Sequence, residues 1–394
     1  MKVAVFGAGG LGRIIALDLA ADPRVTDLVL VDKRGDRSRA LKSIGRTAAV
    51  HPLQGDVDRP ETLGPILEDV DVAANATLPE YNLPLMAACL EAGCGYVDPW
   101  AMSPASVAEK PGILAQLDLD AVWKDRGLSA VVSMGSDPGI SSLMARAAAD
   151  RLQEVDEIRI LKAAAGSGAI AGYPLYSRAV FLRDALSPPI VWEDGKAVPQ
   201  PYVSGGEDYE FPAPVGTRHL YTFYHEEVLT LPRRLGRPVR RVVYKHDINP
   251  DLVRAIVSLH ALGLLAEDKR IQLAGTRMTF RDAFLETFPE PSTLTGPLAG
   301  TLAIVSEALG TRPDGSAARA RAAILVDHRE ANRKLGTTAE RYLTAGAMAA
   351  AIALLAQGKT LRPGVLTAEE LPPEPIQREL ETRGITFQVD ARGA

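Results

Sequence analysis

The chain has 394 residues, 46% hydrophobic and 24% charged, with a formal net charge of −5. That length exceeds one typical core, so two or three packed units are expected. The mild acidity gives no general attraction to nucleic acid or to an anionic membrane, and partners of those kinds are not expected. The two cysteines, Cys89 and Cys94, and the six scattered histidines fall into no zinc-ligand spacing, so the cysteines read as reduced core thiols and no metal is expected.

The N-terminus enters a strand at once, without a basic and apolar leader, which points to a cytoplasmic address. After the apolar run Val3 to Phe6, Gly7, Gly9 and Gly12 stand at G-x-G-x-x-G spacing before a helix over 10–21. Gly7 suits a tight turn, Gly9 lets the backbone approach a pyrophosphate, and Gly12 allows close helix–strand packing. The amides around Gly10 and Leu11, at the positive end of the helix, are placed to hold the phosphates. A second strand over 27–31 ends in Asp32, 20 residues after Gly12. A carboxylate there accepts hydrogen bonds from the ribose hydroxyls of NAD and repels the 2′-phosphate of NADP. Lys33 and Arg34 follow and can offset that repulsion, so NAD is expected and NADP is possible.

Strand and helix then alternate: helices over 38–44, 60–67, 83–92 and 111–125, and strands over 48–53, 70–75, 95–97 and 128–133. Short connections between such units specify an α/β, doubly wound parallel sheet of the Rossmann type, occupying residues 1–138. Polar turns follow the strands, and ligands lie at these ends in open α/β sheets. Asp56 is placed for the adenine or its ribose; Asn75, Ala76 and Thr77 are placed for the nicotinamide side.

Residues 139–334 change character. A helix over 141–152, a strand over 157–163, a glycine-rich passage over 166–172, alternation in 219–224 and 239–246, and a helix over 251–262 precede a hairpin built around Arg312-Pro-Asp-Gly315. This reads as a mostly antiparallel α+β domain for substrate and for a partner subunit, so a homodimer is expected. In residues 335–394, Thr337 or Thr338 caps a long alanine-rich helix through 355, with Glu340 near its N3 position. A final helix and a strand over 385–389 follow, and this helical tail is expected to pack back on the first domain. The nearly uncharged run 342–357 is below the roughly 20 residues a membrane span requires.

The short-chain reductase pattern Tyr-x-x-x-Lys occurs at no tyrosine. The densest polar cluster, Tyr221 to Glu227 followed by Arg233 and Arg234, offers arginines to clamp a carboxylate and acids to hold an ammonium. His225, Arg233 and Arg234 are therefore candidates for substrate binding. Tyr173, a substrate-binding candidate, and Tyr176 either line the same cleft or cover a core, and Lys162 is open in the same way.

Several of these stretches resemble the saccharopine dehydrogenase-like family: Phe6-Gly-Ala-Gly-Gly-Leu-Gly12, Asn75-Ala-Thr77 with Tyr81-Asn82, Tyr96-Val-Asp98, Gly135-Ser-Asp-Pro-Gly-Ile140 and the late helix and turn over 342–364. Within the family the likeness is strongest to its lysine 6-dehydrogenase and carboxynorspermidine dehydrogenase branches. The resemblance implies an NAD(P)-linked oxidation at a C–N bond of an amino acid or amine, through an imine, or the reverse. It makes Asp98, at a strand end, the expected base, with Asp137 sharing the role; Asp137 departs from the small apolar residue expected in the lysine enzymes. A non-catalytic dinucleotide-binding regulator and a reductive synthase of the carboxynorspermidine or saccharopine type are the competing readings.

Overall fold

In the computed structural model, which describes all residues except 45–46, 165–174, 289–298, 359–360 and 394, the chain builds two large sheets. The first has seven parallel strands in the order Gly364–Leu366, Ser129–Val131, Gly95–Val97, Val72–Asn75, Lys2–Phe6, Asp27–Asp32 and Ala49–Gln54. Its central strands are continuous apolar runs, with Val3, Val5, Leu28, Val72 and Ala74 at most 2% exposed. Such runs are what a sheet covered by helices on both faces requires. The edge strand Gly364–Leu366, which pairs with Ser129–Val131, has no counterpart in the sequence-based reading. Two expected helices also differ: 111–125 divides into Gly112–Leu117 and Asp120–Asp125, and 38–44 becomes the helix Gly35–Ala40 with a 3₁₀ turn after it.

The second sheet has nine strands. Its backbone is the long hairpin Thr301–Thr311 and Ala317–Asp327, closed by the Arg312–Gly315 turn, in which the Gly315 amide donates to the Arg312 carbonyl at 2.9 Å. Glu154–Ala163 pairs antiparallel with the first hairpin strand and parallel with Arg241–His246. That parallel contact is the exception in an otherwise antiparallel sheet. The last strand lies at Gln388–Gly393 rather than 385–389 and pairs with Ala317–Asp327. The tail is therefore shared: one short strand extends the first sheet and another extends the second.

Between these strands the alanine-rich helix Ala339–Ala356 packs on the helix Gly10–Leu19 and on the strands Val72–Asn75 and Gly95–Val97. Its small side chains permit this close approach from several sides, and 14 of its 18 residues are buried. It is long and apolar enough to cross a membrane, but it sits inside the protein. Thr338 caps it, accepting from the Arg341 amide.

The helix Pro373–Thr382 is fastened to the first domain by charge. Arg383, its side chain 6% exposed, reaches Asp18 at 3.0 Å, Glu379 at 2.9 Å and Asp22 at 3.4 Å. Arg24 joins Asp22 and Glu379 from the other side at 2.6 and 2.5 Å. Three carboxylates held by two guanidiniums become repulsive when one cation is lost. Arg383→Ala is expected to lower the unfolding free energy by about 3 kcal/mol, measured by urea denaturation. A loss under about 0.5 kcal/mol, the value usual for surface sites, would show that the cluster does not hold the tail.

A cleft between the glycine loop and a buried charge relay

A cavity of about 820 Å³ runs from the glycine loop, past the ends of the first-sheet strands, to residues of the second domain and of the alanine-rich helix. At one end Gly7, Gly9, Gly10, Leu11, Asp32, Lys33 and Asp56 line it, with Ala76 and Thr77 further along. The loop's glycines divide by role. A Cβ on Gly12 would lie 1.7 Å from the Gly7 carbonyl oxygen, and Gly7 itself has φ +97°. Both are therefore required by packing. A Cβ on Gly9 would meet nothing nearer than the Arg37 guanidinium at 4.0 Å, so that position faces the open space a diphosphate needs. The geometry fits a dinucleotide.

Asp32 stands at the end of its strand, where its carboxylate accepts from the Ala8 amide and the Arg34 amide, each at 2.8 Å. It therefore ties the glycine loop to the second strand as well as facing the cavity. Arg13, Lys33, Arg34 and Arg37 surround the same end, giving it the positive charge that phosphates call for.

At the other end a set of ionisable side chains is almost wholly removed from water. Lys162, 4% exposed, pairs with Asp137 at 2.8 Å and with Glu340 at 2.5 Å. Tyr244 donates its hydroxyl to Asp137 at 2.5 Å and stacks on the His225 ring, centroid to centroid 3.9 Å. His225 bonds through Nδ1 to Glu227, whose other oxygen accepts from the Ser141 hydroxyl at 2.6 Å, and its Nε2 lies 3.8 Å from Asp137. Burial alone would raise the Asp137 pKa; the Lys162 ammonium and His225 outweigh it and hold the carboxylate below its usual range. Burial would likewise lower His225, but the Glu227 carboxylate beside it, and then Asp137, bring it up to about 9. Burial dominates at Glu340, whose pKa is raised.

Several residues proposed from sequence are not brought to this cleft. Asp98 is fully buried behind its wall, accepting from the Ser133 amide at 2.9 Å and from the Gln116 side chain at 2.5 Å. Burial pushes its pKa to about 7. It stitches two strand ends and a helix together, and the structure does not support it as the base. Asn75 is 2% exposed and holds the Ala76–Thr77 turn from behind, accepting from the Thr77 amide at 2.9 Å and donating to Asn82 at 2.7 Å. Gly12 is likewise internal.

Arg233 lies 4.6 Å over the Trp192 ring and Arg234 faces Glu370 at 3.5 Å, both at the carbonyl end of the helix Glu227–Arg234, where cations are favoured. Neither is a carboxylate clamp for the cleft. Tyr173 lies outside the described residues. Conversely, Glu340, Lys162, Tyr176, Tyr244 and Arg37 line the cavity, although their sequence context carries at most an ambiguous sign of it. Both cysteines are buried and free.

Residues 3–131 match the saccharopine dehydrogenase NADP binding domain and residues 135–385 the saccharopine dehydrogenase C-terminal domain. The chain belongs to the saccharopine dehydrogenase family. It is 26% identical over 395 residues to a carboxyaminopropylagmatine dehydrogenase of Synechocystis, covering 100% of this chain and 98% of that one. It is 23% identical over 405 residues to a carboxynorspermidine synthase of Vibrio cholerae, covering 99% and 97%. Among solved structures, the apo L-Glu-forming saccharopine dehydrogenase of Saccharomyces cerevisiae superposes with a TM-score of 0.73 at 15% identity, covering 100% of both chains. A homospermidine synthase of Legionella pneumophila, solved with NAD, gives 0.68 at 15% identity, covering 100% of this chain and 91% of that one. The doubly wound sheet, the second α+β domain and the dinucleotide-binding assignment stand on these matches together with the geometry.

The glycine geometry separates folding from binding. Gly9→Ala is expected to keep the melting temperature of the unaltered protein and to weaken NADPH binding about tenfold or more, the cost of crowding one phosphate contact. Gly12→Ala is expected to lower the melting temperature itself. Fluorescence titration with NADPH and thermal denaturation check both; normal NADPH affinity in Gly9→Ala would remove the diphosphate from this loop.

Proposed function

We propose that the protein is an NADP(H)-linked oxidoreductase that joins or parts an amino-acid-derived carbon and an amine nitrogen through an imine. In the favoured direction it reduces the imine formed between an aldehyde-bearing amino acid and an amine. The observation that carries this reading is the single cleft that has a phosphate-seeking glycine loop at one end and the buried His225–Glu227 and Asp137–Lys162–Glu340 groups at the other. The names of the full-length relatives, one a dehydrogenase of carboxyaminopropylagmatine and one a synthase of carboxynorspermidine, agree with it. Asp137, unexpected for a lysine enzyme, also favours this polyamine-type reading. Asp32 opposes a 2′-phosphate, but Arg13, Lys33, Arg34 and Arg37 line the same end, so the NAD expected from the sequence gives way to NADP, with Arg34 and Arg37 placed to receive the phosphate.

When bound, the nicotinamide would supply or accept the hydride. The protein's part is the proton. Because Nδ1 of His225 is engaged by Glu227, the proton that His225 exchanges is carried on Nε2, beside Asp137. In imine formation, protonated His225 gives that proton to the departing oxygen, which leaves as water, and recovers one from the attacking amine nitrogen; once the hydride has been delivered to carbon, it gives the recovered proton to the product nitrogen. In oxidation, neutral His225 takes the amine proton, returns it to the nitrogen as water adds, and takes a proton from that water. Lys162 keeps Asp137 ionised, and Asp137 stabilises the imidazolium through space while bonded to Tyr244. A carboxylate–imidazole pair fixed in this way is oriented before substrate arrives.

A purely regulatory dinucleotide binder would have no need to bury five ionisable groups around an open cleft, where each costs desolvation. The test is NADPH consumption with small aldehyde-bearing amino acids plus diamines or agmatine, followed across pH. Because the His225 pKa is raised to about 9, the protonated form persists through neutrality. Reductive turnover is therefore expected to hold steady up to about pH 8 and fall as pH passes about 9, while the oxidative rate rises through the same interval. His225→Gln is expected to lower kcat about 100-fold or more and to abolish that limb of both profiles. Full activity in His225→Gln would move the proton chemistry elsewhere.

A further inference from the structure

Two carboxylates in the cleft are left unmatched by the relay. Glu226, 4% exposed, accepts from the Ala101 amide at 2.6 Å and from the Ser133 hydroxyl. Asp184 accepts from the Ser103 hydroxyl at 2.9 Å and from the Tyr176 hydroxyl at 3.3 Å. Among the described residues neither has a cation within ion-pair distance, unlike Asp137 and Glu340, which share Lys162, and Glu227, which holds His225. Arg178, which also lines the cleft, is paired with Glu286. The second-domain half of the cavity thus sets Asp137, Asp184, Glu226 and Glu340 beside Lys162 and His225, with Glu227 bonded to the imidazole and Arg341 also in the lining.

An independent observation marks the same place. Among the described residues, the Tyr224 hydroxyl, in a residue only 2% exposed, has no hydrogen-bond partner, and neither does the Trp100 indole N–H. Both residues line the cavity. After burial, the charges that weigh most on Tyr224 are those of Glu226 and Asp184, so the hydroxyl shares their space. A buried hydroxyl without a partner is costly unless a ligand completes it. The segment Trp100–Ser103 links the two acids, its Ala101 amide on Glu226 and its Ser103 hydroxyl on Asp184. Desolvation raises both carboxyls, Asp184 to about 6 and Glu226 to about 8, so Glu226 is mostly protonated in the empty cleft and a bound cation would draw it into its ionised form.

We propose that Asp184, Glu226 and Tyr224, with Trp100 alongside, form a receptor for the cationic head of the amine substrate, a primary ammonium or a guanidinium. The carboxylates supply charge-assisted acceptors, the Tyr224 oxygen a neutral one, and the indole ring a face for the cation. This deepens the amine reading given above and rests on it. It places the reacting nitrogen toward His225, with the far end of the arm held by Asp184 and Glu226.

The test is isothermal titration of the full chain, saturated with NADP⁺, with agmatine as the guanidinium probe, 1,3-diaminopropane as the ammonium probe, and butanol as the uncharged control. At least one cation is expected to bind and butanol is not; whichever cation binds more tightly identifies the head group. Asp184→Asn and Glu226→Gln are each expected to weaken cation binding roughly tenfold or more, and Tyr224→Phe, which removes only the hydroxyl, by a few-fold. NADPH fluorescence on each variant reports whether it is folded, and Tyr224→Phe keeps the test decisive should an acid variant fail to fold. Equal cation affinity in the folded variants and the unaltered chain, or binding of neither cation, would overturn the receptor. Cation binding that depends on these residues without any NADPH turnover would leave the receptor standing and overturn the oxidoreductase reading instead.

Discussion

The buried Lys162 ammonium is the interaction on which the cleft depends. It lies on a strand of the second sheet, yet its two partners come from elsewhere: Asp137 from the turn that leaves the first sheet, and Glu340 from the first turn of the alanine-rich helix. Taking one ammonium and two carboxylates out of water costs several kcal/mol per ion, and their mutual attraction repays it only in good geometry. Such a triad is a poor device for stability. It is an effective one for position, because each ion is uncompensated unless the three chain segments meet where they do.

The proposed proton chemistry follows from that position. With Asp137 kept ionised, a negative charge stands near Nε2 of His225 while Glu227 occupies Nδ1, and the imidazole is raised rather than lowered by its burial. The glycine loop at the far end is held by equally specific means, with Asp32 bonded to the Ala8 and Arg34 amides and Gly12 pressed against the Gly7 carbonyl. Two preorganised ends therefore face each other across one cavity, and the Tyr224 hydroxyl, without a partner among the described residues, lies where the proposed cation receptor would be completed by its ligand.

The first sheet was legible in the sequence because its signals are local: apolar runs of strand length, a glycine spacing with a steric reason at each position, and an acid at a strand end. The hairpin around Arg312–Gly315 was legible for the same reason. The three-residue strand Gly364–Leu366 was not, since it is too short for any periodicity and is defined only by pairing with Ser129–Val131. At the site, distance along the chain was the obstacle. Glu340 reads as the N3 partner of a Thr337 or Thr338 cap; Thr338 is that cap, but the Glu340 side chain serves the cleft, facing a lysine 178 positions away. Asp98 sits at a strand end as a catalytic acid would, yet Gln116 and the Ser133 amide turn it inward. Arg233 and Arg234 have the chemistry of a carboxylate clamp but lie on the last turn of a helix, where stacking on Trp192 and pairing with Glu370 employ them.

The most direct test is a crystal structure of the complex with NADP⁺ and a bound diamine. The account predicts the diphosphate against the amides of Gly9 to Leu11 and the nicotinamide ring in the cleft beside Asp137, with the amine nitrogen nearest the ring within hydrogen-bond reach of His225. A nicotinamide seated away from Asp137 and His225, or an amine bound with its reacting nitrogen turned from the imidazole, would contradict it.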